Sequence, residues 1–212
     1  MKKSISPSVI RRLPRYLRLL DDLARKGEKY TSSKRLSEIS GQTASQIRQD
    51  FSNFGEFGRR GYGYDIQSLR KQISEILGMN RGFHVIVIGT GNIGRTLIDK
   101  FSFNDWGFHL CCAFDVNPAL IGTNHNGVDI LDVEIIEQYL EANRVDIAVL
   151  SVPKTEAIPM AQRLIDCGVD AIWNFTNVEI TEPYSQTIVE NLHFSDSLMA
   201  LSFYLSQRRD EQ

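Results

Sequence analysis

Residues 84–94 read HVIVIGTGNIG, an apolar run, then Gly89, Gly91 and Gly94 in G-x-G-x-x-G spacing at the head of a helical pattern. Asp115 closes the next strand-like run, about 20 residues beyond the last glycine. Strand, glycine turn, helix and acid in that order restrict the segment to the first βαβ unit of a Rossmann dinucleotide-binding domain. In such a turn Gly89 permits the tight bend, Gly91 lets the backbone approach a pyrophosphate, and Gly94 lets the helix pack closely on the sheet. Thr90 lies within the turn. Asn92 and Ile93 supply amides at the helix N-terminus, where oriented N–H groups and the helix dipole favour phosphate. Asp115 is placed to accept hydrogen bonds from the adenosine ribose and to repel a 2′-phosphate, so NAD(H) is expected rather than NADP(H).

The rest of the second half alternates strand with helix, as a doubly wound α/β sheet requires. Strands are expected at 84–89, 109–115, 146–152 and 171–175, and helices at about 92–103, 131–142, 155–167 and 197–208. The runs VIVI and IAVL are continuously apolar, the pattern of parallel strands buried on both faces. Val152-Pro153 ends the third of these strands and Asn174-Phe175-Thr176 the fourth, both at the carboxyl edge where ligands bind; either can border a nicotinamide. A dehydrogenase also needs a proton donor there. His84 and His109 open strands, His125 sits in a polar GTNHNG loop, and this half holds no Tyr-x-x-x-Lys pair. Little chain is left for a substrate domain, so no catalytic residue is assigned.

The charge is divided. Residues 1–80 carry 16 Lys+Arg against 8 Asp+Glu, and residues 81–212 carry 8 against 18. A +8 segment joined to a −10 segment is hidden in a net charge of −2 and points to one module for nucleic acid and another for a nucleotide. Ser6-Pro7 starts a helix with apolar positions at Ile10, Leu13, Leu17 and Leu20, in which Pro14 predicts a kink or a delayed start. Its other face carries Arg11, Arg12, Arg15 and Arg18. Thr31-Ser32-Ser33 opens a short helix stopped by Gly41, and the capping-box pattern Thr43-x-x-Gln46 starts a third. Together they predict a helix-turn-helix, with Ser45, Arg48 and Gln49 pointing away from the buried face of Ala44, Ile47, Phe51 and Phe54. Residues 55–64 (GEFGRRGYGY) read as a hairpin wing, and a fourth helix from Asp65 buries Ile66, Leu69 and Ile73 before the linker at 79–82. Arg48 and Gln49 suit guanine and adenine edges in a major groove, and Ser45 a phosphate or base. Arg59 and Arg60 can enter a minor groove or clamp its phosphates, with Arg12 adding phosphate contacts. The partner expected is double-stranded DNA.

The three cysteines are odd in number and form no C-x-x-C. Cys111 and Cys112 are adjacent on a strand and face opposite sides, so no metal site is expected. No stretch has the 7 to 15 apolar residues of a signal peptide at the N-terminus or the roughly 18 of a membrane span. A reducing cytoplasm and no membrane partner are expected. The tail ENLHFSDSLMALSFYLS is apolar on more than one helical face, which suggests burial between two subunits.

These residues resemble the Rex family of redox-sensing transcriptional repressors over essentially the whole chain. The resemblance rests on RRLPRYLRLL, TSSKRLSEIS, SQIRQDFSNFGEFGRRGYGY, VIGTGNIGR, AFDVNPALIG, VPK, NFT and the ENLHF-to-FYL tail. It implies a winged-helix domain at 1–80, a Rossmann NAD(H)-binding domain at 81–190 and, at 191–212, a C-terminal helix exchanged between the subunits of a homodimer. It also implies release from operator DNA by NADH with NAD+ competing, bases facing Arg48 and Gln49, and the minor groove facing Arg60. Phe194 falls near the nicotinamide by the same resemblance. Arg18 takes the place of a first-helix arginine that pairs in relatives with an acidic residue on the exchanged segment. Here that position is His193, and Lys100 stands where some relatives have tyrosine. An NAD-dependent oxidoreductase with an accessory DNA-binding domain is the second reading, and a CoA- or nucleotide-binding scaffold the third.

Overall fold

The computed structural model describes residues 5–54, 58–59, 63–181 and 186–210. The chain divides into two compact units, Met1–Arg81 and Gly82–Gln212.

In the first unit, α1 (Pro7–Arg25) is followed by β1 (Tyr30–Thr31), α2 (Ser33–Ser40), α3 (Ala44–Ser52), β2 (Gly58–Arg59), β3 (Gly63–Asp65) and α4 (Ile66–Ile76). The expectation of a delayed start at Pro14 is corrected: α1 begins at Pro7 and continues through Pro14. The proline forfeits one backbone donor, but Val9, Leu13, Tyr16, Leu17, Leu20 and Leu23 bury one stripe of the helix and hold it. Tyr16 meets Phe51 of α3 edge-on at 5.3 Å, and Phe51 meets Tyr64 of β3 at the same distance. The three short strands form an antiparallel sheet in the order β1-β3-β2. Helix-turn-helix plus hairpin is a winged helix. Ser32 caps α2 by accepting from Arg35 N, Gly41 ends it in the left-handed region, and Thr43 caps α3 by accepting from Gln46 N. The capping box is not reciprocal, because the Gln46 amide donates to Asp50 instead.

The second unit runs β4 (Phe83–Ile88), α5 (Asn92–Lys100), a 3-10 turn (Phe103–Trp106), β5 (Phe108–Asp115), β6 (Asn124–His125) and β7 (Val128–Asp132). A second 3-10 turn (Val133–Ile135) leads to α6 (Ile136–Ala142), β8 (Ile147–Leu150), α7 (Lys154–Asp166), β9 (Ala171–Asn174), β10 (Ile188–Asn191) and α8 (Phe194–Asp210). The sheet order is β10-β9-β8-β4-β5-β7-β6, parallel throughout except for the edge pair β6–β7. Taken in chain order, the six parallel strands lie 3-2-1-4-5-6, the Rossmann arrangement. The sheet reverses direction of growth between β4 and β8, and the crevice at their carboxyl ends is where such folds bind ligands.

Three expectations change. The helix expected at 92–103 stops at Lys100 because Phe101 and Phe103 turn inward, where Phe101 packs on Phe103 at 4.8 Å and on Trp173 at 5.7 Å. The helix expected at 131–142 begins later: Val128–Asp132 is a strand, and the Asp132 carboxylate caps the 3-10 turn through Glu134 N. Strand β10 completes the sheet beyond the four strands anticipated.

Candidate dinucleotide site and nucleic-acid interface

Strand β4 delivers the chain to Gly89, whose φ of +87° lies in the region that favours glycine. A side chain there would strike the Ser151 carbonyl at 2.7 Å. A Cβ at Gly94 would collide with the Gly89 carbonyl oxygen, which is how closely α5 packs on the strand end. At Gly91 the outcome is different, since a Cβ would meet nothing within 4 Å. The turn is therefore packed from below and open above, at the N-cap residue of α5. Asn92 is exposed and Ile93 half-buried beside it, and the first amides of a helix have no intrahelical acceptors. These residues fit a pyrophosphate.

Asp115, at the end of β5, binds the same turn. Its Oδ2 accepts from the Thr90 amide at 2.7 Å and from the Thr90 hydroxyl, and its Oδ1 accepts from Asn117 N at 2.9 Å. Burial raises the carboxyl's pKa, but these hydrogen bonds outweigh it and hold the group below the ordinary aspartate value. The carboxylate is thus ionised and oriented, and these three bonds leave at most one of its roughly four lone-pair sites to accept another. Thr90 acts as its anchor, buried inside the turn. Ser151 went unrecognised in the sequence. Its hydroxyl lies 3.1 Å from the Ile88 carbonyl and 2.8 Å from the Gly89 carbonyl, fastening the end of β8 to the glycine turn. Val152 comes next, its Cγ1 3.2 Å from where a Gly89 Cβ would stand, and Pro153 caps α7. Both follow the carboxyl end of β8.

Asn174 is corrected. Its Nδ2 donates to the Val178 carbonyl and to Asn191 Oδ1, each at 2.7 Å, while its Oδ1 accepts from Thr176 N and Thr176 Oγ1. With both donors and both acceptor sites used, and 1 % of the residue exposed, Asn174 ties β9 to β10 and has nothing left for a ligand. Phe194 is exposed at the start of α8, its ring 6.3 Å from that of buried Phe175. His193 precedes it, with Nε2 2.9 Å from Glu179 Oε2. Beyond Phe194, α8 buries none of its residues and exposes Leu198, Met199, Leu201, Phe203, Tyr204 and Leu205. Of the remaining histidines, His84 pairs with Asp146 and His125 with Asp99. Burial pushes the Cys112 thiol up to about 11. Among the described residues no three His, Cys, Asp or Glu side chains gather as a metal site would need.

In the first unit, Ser45, Arg48 and Gln49 are exposed on one face of α3, one helical turn apart. Ser52 continues that face and was not anticipated. Arg48 Nη1 donates to Ser33 Oγ at 3.1 Å, so the guanidinium is already held near the start of α2. Arg18 is exposed on α1. Arg12 is corrected: its Nε and Nη2 each donate at 2.7 Å to the two carboxylate oxygens of Asp50, so it is a partner inside the fold rather than a free phosphate clamp. Arg59 lies in β2, and Arg60 falls outside the described residues.

Residues 4–52 match a family model described as "Putative DNA-binding protein N-terminus", and residues 80–178 one described as "CoA binding domain". The chain is 43 % identical over 206 residues to the redox-sensing transcriptional repressor Rex of Thermoanaerobacter pseudethanolicus, covering 97 % of this chain and 92 % of that protein. The chain belongs to the Rex family. A Rex repressor of Clostridium botulinum is 44 % identical over 97 % of this chain and 98 % of its own length. Among solved structures, RSP, a Rex-family repressor, in complex with β-NAD+ and operator DNA superposes with a TM-score of 0.90 at 43 % identity, covering 98 % of this chain and 95 % of that one. RSP in complex with β-NADH gives 0.89 at 41 % identity, covering 98 % and 97 %. Rex relatives are redox-sensing repressors, which sets aside the oxidoreductase as the second reading. No helix among the described residues is long and apolar enough to cross a membrane.

Proposed function

We propose that this chain represses transcription in the cytoplasm as a homodimer on operator DNA, and that NADH releases it while NAD+ competes for the same site. The observation that carries this is the union in one chain of the glycine turn with its anchored Asp115 and the exposed Ser45–Arg48–Gln49 face. Gly89 to Gly94 would hold the pyrophosphate, Asp115 the adenosine ribose, and Val152, Pro153 and Phe194 the nicotinamide end. The dinucleotide supplies a ring that is cationic when oxidised and neutral when reduced. Phe194 and Phe175 present apolar surface to it, and burying an unpaired positive charge against such surface is costly. The residues therefore favour the neutral ring.

Each recognition helix reads half a site. Two half-sites on one face of DNA demand helices about 34 to 36 Å apart, so a change in that spacing breaks the grip without altering either wing. The division is 1–80 for DNA, 81–190 for the dinucleotide and 191–212 for the exchanged dimer helix, with α8 covering its apolar sides against the partner. Arg18 and the segment of His193 and Glu179 register the state of the ring.

The test uses a duplex selected by the protein itself from a randomised pool, and follows its binding by fluorescence anisotropy across NADH/NAD+ ratios at constant total nucleotide. Binding should weaken as the NADH fraction rises. A titration that stays flat across all ratios would overturn the proposal.

A further inference from the structure

The carboxylate of Asp50 is fully buried on α3 and receives four hydrogen bonds from three side chains. Arg12 Nε and Nη2 donate at 2.7 Å each, Tyr16 Oη at 2.8 Å and Gln46 Nε2 at 2.9 Å. Burial alone would raise the carboxyl's pKa, but these donors outweigh it and hold the group below the ordinary aspartate value. The same contact, a hydrogen bond to the carboxylate, raises the pKa of the Arg12 guanidinium. Three of the four bonds come from α1, and the fourth comes from α3 one turn away.

A buried ion pair is a poor device for stability alone, since apolar side chains of similar volume commonly do as well or better. Its distinctive property is direction. Apolar packing of Ile47 and Phe51 lets a short helix roll by small amounts at little cost, whereas a bidentate guanidinium–carboxylate pair tolerates little misalignment. Roll is the coordinate that matters for reading bases. At a side-chain radius of about 6 Å, a roll of about 15° moves a tip by about 1.5 Å, enough to break a hydrogen bond. At about 100° per residue, Ser45, Arg48 and Ser52 all stand more than a third of a turn around α3 from Asp50, on the exposed side.

We propose that Asp50 is a positioning residue for base readout: with Arg12, Tyr16 and Gln46 it fixes the roll of α3, and thereby which base edges Arg48 and Gln49 can reach. This rests on the assignment of α3 as the DNA-reading helix.

The test compares binding to a duplex selected by the unmodified protein from a randomised pool with binding to a scrambled duplex of the same length and composition. The variant Arg12→Met/Tyr16→Phe/Asp50→Leu replaces the polar cluster by an apolar one. It should melt within a few degrees of the unmodified protein and lose at least tenfold in the ratio of selected to scrambled affinity. A folded triple variant that keeps the ratio overturns the proposal. Should that variant not fold, Gln46→Met and Tyr16→Phe each remove one directional bond and leave the ion pair in place. Each should lower the ratio about two- to fivefold at unchanged folded fraction, and an unchanged ratio in both overturns the proposal equally. Arg48→Ala separates the two levels. A lost ratio in Arg48→Ala beside an intact one in the cluster variants leaves α3 as the reader and removes the positioning role. An intact ratio in Arg48→Ala removes the reading helix itself, and the proposal with it.

Discussion

Gly94 shows how little freedom one position can have. A methyl group there would overlap the Gly89 carbonyl and stand 2.8 Å from Ser151 Oγ, so the turn must open to admit it. Gly94→Ala should therefore weaken NADH binding at least tenfold, read by titration calorimetry. Asp115→Ala should narrow the gap between NADH and NADPH affinity; equal affinities in the unmodified protein would contradict the role given to this carboxylate. Asn174→Ala should act differently, lowering stability rather than affinity alone. It strands Asn191, Thr176 and the Val178 carbonyl in a buried setting, at a cost of about 2 to 4 kcal/mol in thermal or urea unfolding. The glycines and Asp115 were legible in the sequence because their spacing is local and each residue type has one task. Asn174 was not, since an amide at a strand's carboxyl end looks the same whether it serves a ligand or a neighbouring strand. Arg12 failed for a related reason: its partner Asp50 lies 38 residues away, beyond any pattern of spacing.

Among the elements, the long and strongly periodic ones were predictable. Helices α1 and α7 and strands β4 and β5 follow from apolar patterning alone. Short strands carry no such signal, so the end of VDILD (Leu131 and Asp132) was taken into a helix, and its start and IVEN were overlooked; both strands acquire their conformation by pairing at the sheet. The depth of β5 has a chemical consequence. Cys112 is buried with its proton held tightly, whereas Cys167 is exposed at the end of α7. A thiol reagent at neutral pH should modify Cys167 first and reach Cys112 only when the second unit unfolds, which mass spectrometry of timed samples can follow. Helix α8 is set apart because its apolar residues face several directions and none is buried. If α8 pairs two chains, as proposed, the full chain should sediment as a dimer and a chain lacking residues 194–212 as a monomer.

At the scale of the whole molecule, acid and ligand act through linked equilibria. Asp50, Asp115 and Asp146 all have carboxyl pKa values below the ordinary one. The sign follows: each contributes stability that is complete above the unfolded value of about 4 and is lost as pH falls through the lower folded value. Melting temperature should thus decline below about pH 4 through these groups, and Asp50→Asn should remove part of that decline. If NADH releases the chain from DNA, as proposed, operator DNA must weaken NADH binding by the same factor. An NADH affinity unchanged at saturating operator would exclude that coupling. The exposed apolar faces of α8 have a genetic corollary. If two chains must share these helices, a fragment consisting of residues 82–212 retains the means to pair and lacks the means to read DNA. Expressed in excess, it would sequester intact chains in mixed dimers with a single wing, each able to grip only half a palindrome. Such a fragment should behave as a dominant allele, derepressing the target promoters even with abundant NAD+, and substituting polar residues for Leu198, Leu201 and Leu205 within it should make it recessive.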